Sequence, residues 1–279
     1  MKKWIWAVIL PVILLLCIWW IAWANTALEV TEYTVTGPEI PAGFDGFRIA
    51  QVSDLHNTTF GEENAELLQI LRQAQPDIIA ITGDLVDSRR TDLNIALDFL
   101  REAMRIAPCY YVTGNHESRI EAFPLLENQL LEIGVIPLRN ESCLLEREGD
   151  SIQLMGVDDC SFYPGMNGNV QVRAMEAEIV RMQSDQYTVL LSHRPELAVV
   201  YDRYDVDLVL SGHAHGGQFR LPLIGGLYAP DQGLFPKYTA GVYEMTDLTM
   251  VVSRGLGNSI FPFRFNNRPE VVVVTLQSE

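Results

Sequence analysis

The sequence predicts an α/β fold behind a single N-terminal membrane helix, and three observations carry that expectation. From Phe47 onward, apolar runs of strand length alternate with amphipathic helical stretches, as βα units that cover a sheet on its faces require. Ahead of them, Trp4 to Ala24 forms an uncharged apolar run. At five strand ends, a small or turn-forming residue is followed by Asp, Asn or His. The bulk composition, 48% hydrophobic and 20% charged over 279 residues, is that of a globular chain able to bury a sizeable core.

The first element is the apolar run, which matches the ~20 residues needed to span a bilayer. All five tryptophans lie within it, at its two ends: Trp4 and Trp6, then Trp19, Trp20 and Trp23. Amphipathic rings favour those interfacial positions, and Pro11 is tolerable inside a span. Lys2 and Lys3 precede the run, Glu29 and Glu32 follow it, and the next positive residue is Arg48, so the lysines are expected in the cytoplasm and the rest outside. "AWA" at Ala22 to Ala24 resembles a signal-peptidase site, yet the run exceeds the ~7–15 residues of a secretory core, which favours an uncleaved anchor over residues 1–27. A buried helix of the domain would need a polar face at some helical phase, and none exists. Cys17 reads as a lipid-facing apolar residue.

Next come an extended stretch, "LEVTEYTVTG", and a Pro- and Gly-rich turn region, "PEIPAGFDG", expected to form a strand and linker over residues 28–46. The domain proper is expected over residues 47–279. Its first half reads strand "FRIAQVSD", helix "ENAELLQILRQAQ", strand "DIIAITGD", helix "DLNIALDFLREAMRI" and strand "CYYVTGN". The second half reads strand "SIQLMGV", helix "VRAMEAEIVRMQ", strand "YTVLLSH", a short helix after Pro195, and strand "VDLVLSG". Strands "GVYEM", "LTMVVS" and "EVVVVTL" close the chain. The helical Leu and Ile stripes are core faces rather than a lipid groove.

A formal charge of −16 repels polyanions at long range and excludes a general nucleic-acid binder. An anionic substrate would have to be attracted locally, and bound metal is the obvious source. Cys109, Cys143 and Cys160 are odd in number and lack CxxC spacing, which leaves either one disulfide or three small buried hydrophobes.

The five strand ends are "VSDLH", "ITGDL", "VTGNHE", "LLSH" and "LSGHAH". In open α/β sheets, ligands bind outside the carboxyl ends of the strands, so these clusters should meet along one edge. Together they hold Asp54, His56, Asp84, Asn115, His116, His193, His213 and His215, which accounts for all five histidines. In extended backbone, Asp54 with His56, and His213 with His215, would each point two donors to one spot. Gly83, Gly114 and Gly212 permit close backbone approach just before a ligand, and Gly216 and Gly217 are expected to leave room beside the pair. Imidazole, carboxylate and amide donors without thiolate suit Mn, Fe or Zn. Seven donors from these eight residues exceed one tetrahedral site, whereas two divalent ions about 3.5–4 Å apart and sharing a carboxylate would use all seven. Four positive charges against two aspartates leave such a centre net positive, able to attract a phosphate inside an acidic protein.

These five blocks, in this order and each after a strand, resemble the motif set of the calcineurin-like metallophosphoesterases, over roughly Phe47 to Leu276. "SGHAHGGQ" and "SRGLGNSIFPFRFNNRPEVVVVTL" further resemble a membrane-associated bacterial subgroup related to enzymes that cleave the pyrophosphate of a UDP-diacylglucosamine lipid precursor. Ala214 stands where Thr is frequent, and no ligand position is missing. The resemblance implies a two-sheet sandwich flanked by helices, a cation held by Asp54, His56 and His215, a second held by Asn115, His193 and His213, and Asp84 bridging them. It leaves His116 to donate a proton to the leaving group, with Glu117 orienting its ring, while metal-activated water attacks phosphorus.

The expected activity is therefore hydrolysis of a phosphodiester or pyrophosphate bond, on a membrane-proximal and potentially lipid-linked substrate. Two rivals stay open: a phosphomonoesterase or nucleotide phosphodiesterase on the same site, and a non-catalytic metal-stabilised protein that binds envelope components. Arg254, Arg264 and Arg268, in a Gly-, Pro- and Asn-rich loop, are either ligands for a second phosphate or ordinary surface charges. The sequence leaves the oligomeric state open.

Overall fold

A computed structural model describes residues 2–163, 168–259 and 261–279, and of residues 2–5 the backbone alone. The side chains of Lys2, Lys3 and Trp4, which the sequence assigns to the cytoplasmic end of the span, lie outside the described residues. The first helix, α1 (Lys2–Thr26), precedes strands β1 (Glu29–Gly37) and β2 (Arg48–Val52). Alternation then begins: α2 (Ala65–Ala74), β3 (Ile78–Thr82), α3 (Leu93–Ala103), β4 (Cys109–Val112), α4 (Phe123–Ile133) and β5 (Ile136–Pro137). The second half holds β6 (Glu141–Arg147), β7 (Asp150–Gly156), α5 (Gly168–Met182), β8 (Thr188–Leu191), α6 (Ala198–Tyr201) and β9 (Leu208–Ser211). Two small hairpins follow, β10 (Arg220–Leu221) with β11 (Gly225–Gly226) and β12 (Tyr228–Ala229) with β13 (Gly233–Leu234). Strands β14 (Gly241–Glu244), β15 (Thr249–Val252) and β16 (Glu270–Ser278) end the chain.

These strands form two six-stranded sheets, ordered β1-β16-β2-β3-β4-β5 and β14-β15-β9-β8-β7-β6. In the first, β2, β3, β4 and β5 run parallel; in the second, β15, β9, β8 and β7 do. Apart from the short edge strand β5, both faces of these parallel strands are largely buried, which explains why they read as unbroken apolar runs rather than alternating ones. Ile49, Ile78, Tyr110, Val189, Leu208 and Val272 fill the space between the sheets. Their neighbours Ala50, Ile79 and Tyr111 face the opposite way and pack with Leu67, Leu71, Phe99, Leu126 and Leu130 from α2, α3 and α4. Leu190 and Val209 do the same with Met175 and Ile179 of α5 and Ala198 and Tyr201 of α6. The result is a helix–sheet–sheet–helix sandwich, as the resemblance implied.

The stretch expected as strand and linker over residues 28–46 forms β1 and the turn region after it. Strand β1 pairs in parallel with β16 over nine residues and so joins the first sheet, and Ile40 and Phe44 of the turn region are buried between the sheets. Its alternating exposure marks an edge strand. Helix α4, strand β6 and the small hairpins were not foreseen. The four cysteines are all free, with Cys109 and Cys160 buried and Cys143 half-buried, which removes the disulfide alternative.

Helix α1 is exposed along nearly its whole apolar length and meets the domain only at its last turn. There Ala24 is buried, and the Asn25 side chain accepts from the Arg264 amide at 2.7 Å and donates to the Arg264 carbonyl at 3.1 Å. Arg268 donates to the Ala27 carbonyl at 2.9 Å and lies over the Trp23 ring at 5.0 Å. Arg254 pairs with Glu270 at 2.8 Å and Glu29 at 3.1 Å. Arg254 and Arg268 are thus braces between β1, β16 and the end of α1, engaged with protein partners rather than free to meet a second phosphate.

Phe99 is wholly buried beneath the first sheet, so Phe99→Ala is expected to cost about 3–5 kcal/mol of stability, read as a lowered denaturation midpoint.

Candidate metal centre

The five polar clusters sit on loops at the carboxyl ends of β2, β3, β4, β8 and β9, and the backbone knits those loops together. Asp54 and His56 donate their amides to the Gly83 and Asp84 carbonyls, each at 3.0 Å, and Gly212 donates to the His193 carbonyl at 3.1 Å. Across the two sheets, the Gln51 side chain donates to the Ser211 carbonyl at 2.9 Å, and the His213 amide donates to the Asp54 carboxylate at 3.1 Å. The glycines act as expected at two of these crossings. A Cβ on Gly114 would stand 2.2 Å from Asp84 Oδ1, and one on Gly212 would stand 1.8 Å from Ser53 Oγ.

The extended backbone expected for the histidine pairs is not what forms. Asp54, His56, Asp84, His213 and His215 all have φ between 46° and 63°, the left-handed region that L-residues enter at a cost of about 1–3 kcal/mol each. Asp54 and His56 still converge, whereas His213 and His215 separate: His213 turns to His193, and His215 to His56. Gly216 and Gly217 leave no empty room, because Asn267 packs on the first and the Gly226 backbone on the second.

Two groups of donors result. His56 Nε2 and His215 Nε2 face each other at 3.3 Å, and His215 Nε2 lies 3.5 Å from Asp54 Oδ1. His193 Nε2 lies 3.1 Å from His213 Nδ1. Asp84 Oδ2 stands between the groups, 3.5 Å from His56 Nε2 and 3.3 Å from His193 Nε2. Asn115 is buried beside them, and its Oδ1 has no hydrogen-bond partner. Donors about 2.1 Å from one cation stand about 3.0–3.4 Å from each other, so the observed spacings are close to those of coordination shells. The mixture of imidazole, carboxylate and amide also fits a transition metal such as Mn, Fe or Zn.

The outer contacts fix which ring nitrogens are available. His193 Nδ1 donates to the Thr82 carbonyl at 2.8 Å, which leaves Nε2 to face inward. His213 Nε2 lies 3.0 Å from Asp231 Oδ2, which leaves Nδ1 to face inward. Burial alone would depress His193, but the charge and hydrogen bond of Asp84 outweigh it and hold the ring up to about 10. His215 goes the other way: burial, helped by the charges of His56 and Arg264, outweighs Asp54 and pushes it down to about 3. Arg264 itself is fully buried behind His215, donating to the Arg254 carbonyl at 2.7 Å and to Asn258 Oδ1 at 3.2 Å. It supports the site's wall from inside and is neither a surface charge nor open to a second phosphate.

His116 is buried against this centre, and its Nδ1 accepts the Ser88 backbone amide at 3.0 Å. An amide can only donate, so the proton of the neutral ring sits on Nε2, 3.1 Å from Ser259 Oγ. Burial, aided by His56 and Arg119 against Asp84 and Asp87, pushes the ring down to about 4. Glu117 does not orient this ring as expected. It accepts the amides of Gly114 at 2.7 Å, Asp84 at 3.0 Å and Val86 at 3.3 Å, so it ties the loop after β4 to the loop after β3. Burial and the Asp84 charge hold its carboxyl up to about 7 despite those amides. Beside His56 opens a cavity of about 750 Å³, lined by Thr58, Asp87, Arg89 and Ser259 among others. Ser88 and Asp231 reach the site from loops that carry no motif, and Ser259 from the C-terminal stretch noted above, where nothing singled out this serine.

Residues 47–217 match the model of the calcineurin-like phosphoesterase family. The chain belongs to that family. It is 32% identical to the metallophosphoesterase YkuE of Bacillus subtilis (strain 168) over 256 residues, which span 90% of this chain and 86% of that protein. It is 28% identical to the phosphodiesterase YaeI of Escherichia coli (strain K12), over 82% of each chain. A Bos taurus transmembrane protein with a metallophosphoesterase domain is 31% identical over 89% of this chain and 57% of its own length. Among solved structures, the Thermus thermophilus sulfate thiohydrolase SoxB aligns with a TM-score of 0.52 at 12% identity, over 85% of this chain and 57% of that one, a likeness of fold alone. Family membership makes the protein a metal-dependent phosphoester hydrolase.

Removing the Asp231 carboxylate frees His213 to rotate or change tautomer. Asp231→Ala is therefore expected to weaken divalent-cation binding about 10- to 100-fold, measured by equilibrium dialysis with metal analysis.

Proposed function

We propose that the protein is a membrane-anchored phosphodiesterase or pyrophosphohydrolase that works with two divalent cations. The observation that carries this reading is the position of Asp84 Oδ2, within 3.5 Å of one imidazole from each donor group. Asp54, His56 and His215 would hold one ion, Asn115, His193 and His213 the other, and Asp84 both. Bound there, such ions supply Lewis acidity toward the phosphoryl oxygens and lower the pKa of a water toward neutrality. Manganese, iron and zinc all suit the donors.

The chain's own residues supply the rest. His116 directs Nε2 toward Ser259 and the substrate side, with Nδ1 committed to the Ser88 amide. In this arrangement the ring is neutral and contributes a hydrogen bond to the departing oxygen rather than a free proton, which refines the acid role implied by the resemblance. Glu117 keeps Asp84 and Asn115 on adjacent loops in register. The apolar helix Lys2–Thr26 and the transmembrane relative support an anchor over residues 1–27, and the lysines ahead of it support the domain of residues 47–279, joined by β1, lying on the extracytoplasmic side. The relative named a phosphodiesterase supports diester over monoester cleavage.

Asp84→Asn is expected to abolish hydrolysis of an aryl phosphodiester and to lower cation content; wild-type turnover in that variant would remove the two-ion reading. His116→Ala should slow turnover about 10²- to 10³-fold while keeping the cations. His116→Gln, which retains a donor near Nε2, should recover part of that loss if a hydrogen bond is what His116 gives; equal loss in both would assign it proton transfer. Release of inorganic phosphate from monoesters at a rate matching diester cleavage would favour a phosphomonoesterase instead.

A further inference from the structure

Among the described residues, Leu223, Ile224, Leu234, Phe235, Phe263 and Phe265 are large apolar side chains that stand exposed. Leu223 and Ile224 lie in the turn between β10 and β11, while Leu234 and Phe235 lie at the open end of the β12–β13 hairpin, opposite the turn that holds Asp231. Hydrogen bonds join these pieces. Arg220 donates its amide to the Phe265 carbonyl at 3.0 Å, and Phe235 donates to the Leu227 carbonyl at 2.9 Å. Phe219 packs edge-on against Phe261 and Phe263, each at 5.4 Å. The Phe263–Phe265 segment is also the one that grips α1, through Arg264 and Asn25. Exposed apolar surface of this extent, contiguous with the end of an apolar helix, calls for a covering partner.

Charge singles out the same region. In a chain with 36 acidic residues, Gly212 to Tyr243 contains one, Asp231, and Arg254 to Pro269 contains none. Lys237, the only lysine beyond Lys3, lies exposed two residues past Phe235. Apolar segments flanked by a cation and poor in carboxylates suit the interface of an anionic bilayer, where rings enter the headgroup layer and a lysine reaches phosphate. They do not suit water.

We propose that this surface is a second membrane contact, with the β10–β11 turn, the open end of the β12–β13 hairpin and the Phe263–Phe265 segment resting in the lipid headgroup layer. The inference rests on the anchor reading of α1. It has a consequence for the substrate, because Asn258, Ser259 and Pro262, part of the same segment, wall the cavity beside His56. The mouth of the site is then held at the bilayer surface, where a phosphate ester carried by a lipid headgroup is presented to it.

The test uses the full chain in vesicles of phosphatidylcholine and phosphatidylglycerol. Leu234→Cys, in a Cys17→Ser, Cys143→Ser background, is labelled with an environment-sensitive fluorophore, and Leu125→Cys, exposed on α4, is the control. Nitroxide-bearing lipids are expected to quench the label at 234 and not at 125. All five tryptophans lie in α1, so tryptophan quenching reports the anchor separately. Quenched tryptophan with an unquenched label at 234 overturns the second contact and leaves the anchor; quenching of neither overturns both. The double variant Leu234→Glu, Phe235→Glu should keep hydrolysis of a soluble aryl phosphodiester and lose most of the hydrolysis of a vesicle-borne phosphodiester. Equal retention of both activities would also overturn the proposal, while a wild type that cleaves neither substrate would overturn the catalytic reading instead.

Discussion

Everything in this molecule is arranged around a concentration of like groups that should not tolerate one another. Two carboxylates and four imidazoles are buried with their electron pairs turned toward common points, the closest nitrogens 3.1 and 3.3 Å apart. Without a positive charge between them, such contacts repel and the carboxylates pay for desolvation. A proton on His193 relieves part of this, since Asp84 holds that ring charged well above the ordinary range. Divalent cations relieve it more completely, which is the physical reason a metal-dependent hydrolase can carry so polar a centre at the end of its core.

The scaffold makes that crowding possible by packing two mixed sheets face to face, with the carboxyl ends of their parallel strands at a common edge. Neither sheet alone supplies both donor groups: β2, β3 and β4 bring Asp54, His56, Asp84 and Asn115, while β8 and β9 bring His193, His213 and His215. The sheets are locked by apolar packing along their inner faces and by a few polar crossings, of which Gln51 to Ser211 and His213 to Asp54 lie nearest the site. Glu117 adds a third tie between loops. Left-handed backbone at five of the ligand-bearing positions is strained in isolation, and these amide bonds offset that strain.

The C-terminal loop links this centre to the apolar helix α1. One segment, Arg254 to Arg268, contacts the end of α1, backs His215 through Arg264 and faces His116 through Ser259. The seating of α1 on the domain and the shape of the site's mouth are therefore set by the same residues.

How much of this was legible depends on the range of the interaction. The parallel strands announced themselves because both their faces are buried, so their apolar runs are unbroken; helix α1 did so because its long apolar run carries no charge. The donors at five strand ends were legible as types and as an ordered set. Strand β1 was not recognised as part of the sheet, because its partner β16 lies more than two hundred residues away and its own pattern is that of any half-exposed strand. The partners of the donors were equally hidden: Ser88 for His116, Asp231 for His213, Arg264 behind His215, and the amides that claim Glu117. The sequence by itself determined which chemical groups the edge of the sheets would carry, since residue type and local periodicity are properties of short stretches of chain. Only the tertiary structure decided which nitrogen of each ring faces inward and which histidines stand together, because those depend on contacts between loops that the chain brings together from opposite sheets.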